Sequence, residues 1–342
     1  SSIGMILFTS RPVGDAMATT IWGASSSWTL TALPLFVWMG EILFRTKLSE
    51  NLFEGLAPWL QKLPGGLIHV NVVGCALFAA ISGSSAATVA TVGKMSIPEL
   101  RKRKYPEKIL LGSLAGSGTL GLLIPPSIIL IIYGVTVQES IAKLFIAGII
   151  PGIMIALIFM GYVIIWSLLN KNKMPLTEEN YSFLNKLSKS KQLIPVILLI
   201  LGVIGSIYTG IATATEAASL GVVGALILSY FQKSLNLKTF KESLLGATKT
   251  SCMIAFILAG ATFLSLAMGF TGLPRNLAIW IQNMELSPYV LIFVLMIFYI
   301  ILGMFLDGIS AVVLTMAIIE PMIRQAGFDM IWFGIFLVIV VE

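Results

Sequence analysis

The sequence predicts an all-α polytopic membrane protein with inverted-topology repeats, two re-entrant helical hairpins and broken helices. Three observations carry that expectation. The chain of 342 residues holds 22 Lys+Arg and 16 Asp+Glu, 11% of the total, against a usual share of about 25%. Apolar runs of spanning length alternate with apolar runs interrupted by consecutive Gly, Ser and Pro. The chain also matches itself at a constant offset of 225 residues, Leu48 falling on Leu273.

So few charges cannot cover the surface of a soluble globule of this size. Disorder and nucleic-acid binding both need dense charge and are excluded. The remaining surroundings are a lipid bilayer, with room for about ten crossings at roughly 20 residues each. Cys75 and Cys252 lie far apart in apolar runs and are expected to be buried, inert thiols. With His69 the only histidine, no transition-metal centre is expected.

Taken in order, residues 1–28 form an N-terminal segment, and Thr29–Phe44 is a first span. Leu48–Leu60 is amphipathic and suits a helix lying along the interface. Ile68–Ile97 is apolar but broken by Ser82-Gly83-Ser84-Ser85, and Ile109–Val135 by Gly116-Ser117-Gly118-Thr119 and then Pro125-Pro126-Ser127. Phe145–Leu169, Leu193–Tyr208, Ala214–Phe231 and Ile254–Phe270 read as spans, with a hydrophilic linker at Asn170–Gln192. Leu273–Asn283 is a second amphipathic stretch. Val290–Ile323 is broken by Leu306-Asp307-Gly308. In hydrocarbon a lipid-exposed break leaves backbone groups unsatisfied, so breaks belong where protein or a polar cavity encloses them. Gly202, Gly205, Gly221 and Gly224 are explained by close helix packing. That explanation is weak for Ser82–Ser85 and Gly116–Gly121, where polar and Gly residues are consecutive.

At the 225-residue offset, Leu48-Ser49-Glu50-Asn51-Leu52 falls on Leu273-Pro274-Arg275-Asn276-Leu277, Gly83-Ser84-Ser85-Ala86 on Gly308-Ile309-Ser310-Ala311, Ser82 on Asp307 and Trp38 on Phe263. One offset thus joins an amphipathic helix and a break, as in two-repeat secondary transporters. The run Arg101–Lys104 anchors one side of the membrane as cytoplasmic. Following the chain from there, 17 of the 22 basic residues fall inside, with Arg11, Lys143, Arg275 and Arg324 outside and Lys94 within the first hairpin. The same path gives the repeats opposite orientation, which would bring two hairpin tips together near the midplane.

Broken helices expose N–H groups that favour anions and carbonyls that favour small hard cations such as Na+. Ser82, Ser84, Ser85 and Thr88 offer hydroxyls at the first tip, Gly83 permits a sharp turn, and Gly116, Ser117, Gly118 and Thr119 offer carbonyls and hydroxyls. Pro125 and Pro126 lack N–H donors and free upstream carbonyls. Such a cage suits Na+ without any carboxylate. Asp307 is either an intramembrane functional acid or the N-cap of the outgoing half-helix. Glu216 is equally open between a cation role and a cap shared with Thr213 or Thr215. Glu41 is placed to pair with Arg45, and Trp22, Trp28, Trp59 and Trp280 fit interface belts.

Five segments then match a known family. They are Pro34-Leu35-Phe36-Val37-Trp38-Met39-Gly40, Ser82–Thr88, Gly118–Ser127, Gly210–Ala218 and Gly303–Asp307. With them the chain resembles the large membrane (M) subunit of tripartite ATP-independent periplasmic (TRAP) transporters. The resemblance implies a multi-pass permease of the bacterial inner membrane, not an enzyme. Such a permease takes an organic acid from an extracytoplasmic substrate-binding protein and is braced by a small four-helix membrane subunit. It implies Na+ as the coupling ion, no other cofactor, and an elevator movement of the hairpin domain. By that likeness Ser82, Gly83, Ser84, Ser85, Gly116 and Thr119 belong to one Na+ site, and Asp307 and Gly308 to a second. Thr88, Pro125, Ser127 and Ser310 are the candidates for substrate contact.

Two departures stand out. Ala214 occupies a position where the family usually has Pro. A second broken helix, expected from about Gly334, stops at Glu342, so the chain reads as a fragment truncated at both ends that should not transport alone. The expected organisation is scaffold helix and interfacial arm at 29–64, hairpin and broken helix at 65–136 and connecting spans at 137–253 with the linker 170–192. A second scaffold and arm follow at 254–287, and a second hairpin at 288–342. The alternatives are a stand-alone Na+-coupled dicarboxylate or citrate carrier of the same architecture, and an ion channel, against which the inverted repeat argues.

Overall fold

The computed structural model describes residues 2–8, 12–46, 48–175, 182–283 and 287–342. The charges Arg11 and Lys47, the side chains of Leu48–Glu50 and Trp280, and linker residues 176–181 lie outside that description. All regular elements among the described residues are helical. The order begins α1 (Ser2–Phe8), α2 (Val13–Ser25), a 3-10 turn at Trp28–Thr31, α3 (Ala32–Phe44) and α4 (Leu48–Leu60). It continues with α5 (Ile68–Ser82), α6 (Ser85–Lys102), α7 (Glu107–Gly118), α8 (Leu120–Leu123), α9 (Ile128–Thr136) and α10 (Ile141–Leu169). Then come α11 (Phe183–Ser190), α12 (Ile194–Tyr208), α13 (Ala214–Phe231), α14 (Leu237–Thr271), α15 (Leu273–Asn283), α16 (Pro288–Gly303), α17 (Gly308–Gln325) and α18 (Met330–Val341).

Among the described residues, five helices are long and apolar enough to cross a membrane, or seven if each of two bent pairs forms one span. This is fewer than the ten that length alone allows. Three apolar helices, α5, α16 and α18, are too short to count. α5 has 15 residues and α16 has 16, about 22 and 24 Å at 1.5 Å per residue. Both fall short of a hydrocarbon core of about 30 Å. The outer faces of the long helices are apolar and bare: Ile150, Leu157 and Leu169 on α10 are 77%, 61% and 79% exposed. Such continuous exposure is tolerable only where lipid is the solvent. Trp22, Trp28 and Trp59 are also exposed, as interface belts require.

The chain forms two compact units. One comprises Leu35–Ile128 and Gly148–Ala247. Its centre is α5, whose Ile68, Val70, Val72, Cys75, Phe78 and Ala79 are buried against α6 and α7. Ile68 also packs with Ile109 and Val163. Polar contacts reinforce this packing. Asn71 donates to the Leu110 carbonyl at 3.2 Å and to Ser113 Oγ at 3.0 Å, and Ser117 Oγ donates to the Ser113 carbonyl at 2.6 Å. Glu41 pairs with Arg45 as its spacing predicts. Thr213 and Glu216 form a reciprocal capping box, which accounts for that acid as a helix start.

The second unit comprises Ser1–Pro34, Ile129–Ala147 and Thr248–Glu342. Met5, Phe263 and Ala267 form one buried cluster. Tyr133, fully buried, donates to the Met330 carbonyl at 2.6 Å and so ties α9 to the start of α18. Arg324 pairs with Glu320 at 2.9 Å and donates to the Val137 carbonyl at 3.0 Å.

Several expectations need correction. Cys75 is buried but Cys252 is exposed, because it lies on the outward surface of α14. The linker Asn170–Gln192 contains an ordered helix, α11, held against α4. The helix expected from about Gly334 starts at Met330, where Asp329 accepts the Trp332 N–H at 2.9 Å and caps it. Helix α14 begins at Leu237, well before Ile254, since Asn236 caps it through the Thr239 N–H at 2.8 Å. Gly116–Thr119 is no gap in the helix. Thr119 keeps helical angles (φ −62°, ψ −24°) and its N–H bonds to the Gly116 carbonyl at 3.3 Å. The break lies wholly at Ile124–Ser127.

Candidate cation and substrate site

The first hairpin tip follows from three consecutive local choices. Helix α5 ends because Gly83 turns left-handed (φ 59°, ψ 15°), its N–H closing on the Ala79 carbonyl at 3.2 Å. Left-handed backbone is where glycine carries no side-chain penalty. Ser84 then extends (φ −139°, ψ 127°) and caps α6 by accepting the Ala87 N–H at 3.4 Å. Ser85 is the first residue of α6.

Three oxygens converge at this turn. Ser82 Oγ lies 2.8 Å from Thr88 Oγ1, Thr88 Oγ1 donates to the Ser84 carbonyl at 2.8 Å, and Ser82 Oγ lies 3.3 Å from the same carbonyl. Ser82 and Thr88 are 5% and 0% exposed. A hydroxyl has two acceptor lone pairs and one rotatable hydrogen, so turning the hydrogens outward would aim oxygen lone pairs from both residues at one point.

The broken helix is pressed directly against this tip. After α8, Ile124 is extended, the Pro125–Pro126 bond is cis, and α9 starts at Ile128. The Ile128 N–H donates to the Gly83 carbonyl at 3.3 Å. A Cβ on Gly83 would lie 2.8 Å from the Pro126 carbonyl oxygen, and one on Gly121 would lie 2.7 Å from the Ser84 carbonyl oxygen. Ser127 is fully buried and donates to the Leu122 carbonyl, closing the gap left by the prolines. Thr119 Oγ1 donates to the Gly116 carbonyl at 2.7 Å.

Of the sequence candidates, the structure therefore gathers Ser82, Gly83, Ser84, Thr88, Pro125 and Pro126 at one place. Ser85 opens the same helix, its carbonyl 3.8 Å from where a Gly118 Cβ would be. Gly116 and Thr119 are bonded to each other one turn before α8. Ser127 faces back into its own break. Helix ends sort by charge here: the carbonyl ends of α5 and α8 favour a cation, and the N–H ends of α6 and α9 favour an anion.

The second tip belongs to the other unit. Helix α16 ends at Gly303, and a turn through Met304–Leu306 leads to Asp307. Asp307 caps α17: it accepts the Ser310 N–H at 3.1 Å and the Ser310 hydroxyl at 2.6 Å. Gly308 behind it is buried, while Met304 and Phe305 are 75% and 81% exposed. Tyr299 and Thr315 join the two arms through hydroxyls 2.7 Å apart.

Motif reading missed the physical reason for two residues. Gly40 and Gly121 lie in segments that carry the family resemblance, yet neither is a ligand candidate. A Cβ on Gly40 would lie 3.1 Å from Ser82 Cα. Both are small so that neighbouring helices can hold the tip closely. Asn71 was also overlooked; a lone amide inside an apolar run was the available signal.

With this geometry in place, the comparisons decide the family. The model of the tripartite ATP-independent periplasmic transporter, DctM component, matches residues 1–342. The chain belongs to this family. It is 31% identical to the C4-dicarboxylate TRAP transporter large permease protein DctM of Pseudomonas aeruginosa, over 100% of this chain and 79% of that one. It is 31% identical to the isethionate TRAP transporter permease protein DctMQ of Oleidesulfovibrio alaskensis, over 95% of this chain and 51% of that one. It is 29% identical to the sialic acid TRAP transporter large permease protein SiaM of Vibrio cholerae, over 98% of this chain and 78% of that one. The chain is thus a multi-pass membrane protein of a transporter family, and the hairpin tip and proline break described above lie within the matched length.

Proposed function

We propose that the chain is the large permease of a Na+-driven importer of an organic acid in the bacterial inner membrane. An extracytoplasmic binding protein delivers the substrate, and a small membrane subunit stands beside the permease. Named substrates of the relatives, C4-dicarboxylate, isethionate and sialic acid, are all acids. A relative named DctMQ, only half spanned by this chain, supports a second membrane component. The observation that carries the cation reading is the convergence of Ser82, Thr88 and the Ser84 carbonyl beside the carbonyl ends of α5 and α8. In this reading Na+ replaces the hydrogen bonds among these oxygens, with Ser85, Gly116 and Thr119 nearby. Asp307 and Gly308 serve a second cation. The anionic substrate meets the N–H ends of α6 and α9 near Thr88, Pro125 and Ser127. The hairpin and the broken helix move together as an elevator, held by the close approaches at Gly83 and Gly121.

The test is uptake by the complete transporter in proteoliposomes, with and without binding protein. Ser82→Ala and Thr88→Val each remove one candidate ligand, and a loss of about 1.4 kcal/mol is tenfold in affinity. The Na+ concentration for half-maximal uptake should rise by about tenfold in each variant. Unchanged Na+ dependence removes these residues from a cation site. Undiminished uptake without any binding protein would instead identify a stand-alone carrier.

A further inference from the structure

Helix α11, in what reads as a hydrophilic linker, has three distinct sides. At 100° per residue, Lys186 and Ser190 share the side that meets α4: Trp59 Nε1 donates to Ser190 Oγ at 2.7 Å, and Lys186 Nζ lies 5.3 Å from the Trp59 ring centre. Lys189 points to a second side and lines a cleft of about 350 Å3 with Glu54, Glu99 and Arg103. The third side is an apolar arc of Phe183, Leu184 and Leu187, which are 67%, 74% and 51% exposed. At the edge of that arc Phe183 meets the Trp59 ring edge-to-face, ring centres 6.3 Å apart, yet all three side chains keep at least half of their surface bare.

The geometry points to a lipid surface: α11 lies in the headgroup layer of an anionic leaflet, with Phe183, Leu184 and Leu187 inserted and the flanking lysines holding lipid phosphates. Two further observations favour lipid as the occupant. Residues 170–192 contain five lysines (Lys171, Lys173, Lys186, Lys189, Lys191) against two glutamates, the charge sign that anionic headgroups attract. Moreover, α11 leads directly into α12 through a bend of 53°. Helix α12 has 15 residues, about 22 Å, and carries outward Ile194, Leu198 and Leu201, 50%, 63% and 61% exposed. It is short for a bilayer, so the bend falls close to its surface, where an amphipathic helix with basic flanks binds. This inference is independent of the cation and substrate reading.

The experiment uses the complete transporter with Cys252 and any other accessible cysteine replaced by Ser, Cys75 being buried. Single cysteines at positions 184, 187, 185 and 188 carry an environment-sensitive fluorophore. The protein is placed in nanodiscs of phosphatidylcholine with or without phosphatidylglycerol, and brominated lipids serve as quenchers. Probes at 184 and 187 should emit to the blue and be quenched several-fold more than those at 185 and 188. Phosphatidylglycerol should enhance that quenching, and Lys173→Gln with Lys191→Gln, both exposed, should abolish the enhancement. Equal quenching at all four positions overturns the proposal. So does a blue shift at 184 and 187 without lipid quenching, which would mean that a protein covers the arc. Enhancement surviving the lysine replacements overturns the phosphate contacts.

Discussion

Gly121→Ala tests the claim that the hairpin tip and the broken helix form one closely held piece. The added Cβ would sit 2.7 Å from the Ser84 carbonyl oxygen and 2.8 Å from Thr88 Oγ1, where ordinary contact begins at 3.4 Å. The obstacle is backbone, so the tip must retreat by about 0.7 Å, and a close-packed interior resists such a shift. Overpacking of this kind costs about 1–3 kcal/mol. If the Ser84 carbonyl is drawn away from Thr88, 2.8 Å apart in the native tip, about 1 kcal/mol more is lost. The assay is equilibrium unfolding of the purified protein in detergent, followed by tryptophan fluorescence. Gly112→Ala on α7 is the paired control, because nothing lies within 4 Å of its Cβ position. There, relief of the glycine penalty should leave stability unchanged or raised by up to about 1 kcal/mol. The expected result is a gap of about 1–5 kcal/mol between the two variants. Equal stability would refute the close approach and with it the single-piece reading of the tip.

Two other outcomes follow from the second unit. Asp307→Asn keeps an oxygen for the cap and should leave unfolding within about 0.5 kcal/mol of the native protein, whereas Asp307→Ala should cost about 1 kcal/mol. If the carboxylate also serves a cation, Asp307→Asn alone will raise the Na+ requirement for uptake, and an unaltered requirement assigns the residue to capping. Tyr133→Phe removes the buried bond to the Met330 carbonyl and should destabilise by about 1 kcal/mol. A native denaturant midpoint for that variant would show that the bond contributes nothing.

What the residues disclose depends on which signal each element carries. Helices α4, α13 and α15 have the same bounds in sequence and structure, because charge on one side or a capping box marks their ends. Both hairpin turns were legible for a similar reason: Ser-Gly-Ser and Asp-Gly suit a cap and little else in an apolar run. Gly116–Gly121 misled because consecutive small residues serve two purposes. They can break a helix, or they can let another helix approach, as Gly121 does against Ser84 and Gly116 against the Phe159 ring at 3.5 Å from its would-be Cβ. Composition is the same in both cases, and only the neighbour distinguishes them. Helix α11 was hidden by its lysines, which dominate the average over a short segment whose apolar residues fall on one arc. The convergence of Ser82 and Thr88 was half visible, since a spacing of six residues across a turn has no fixed geometry until Gly83 sets it.

The first tip is already satisfied in its own hydrogen bonds. Ser82, Thr88 and the Ser84 carbonyl bond to one another. For a carrier this would have a thermodynamic meaning. A pocket whose oxygens were left bare on unloading would hold its cargo too tightly, because releasing it would strand buried lone pairs. One that closes on itself exchanges one set of bonds for another, so occupied and vacant forms stay near in free energy and both are populated through the cycle. For such a carrier, weak net binding would be the property that lets the cycle turn over.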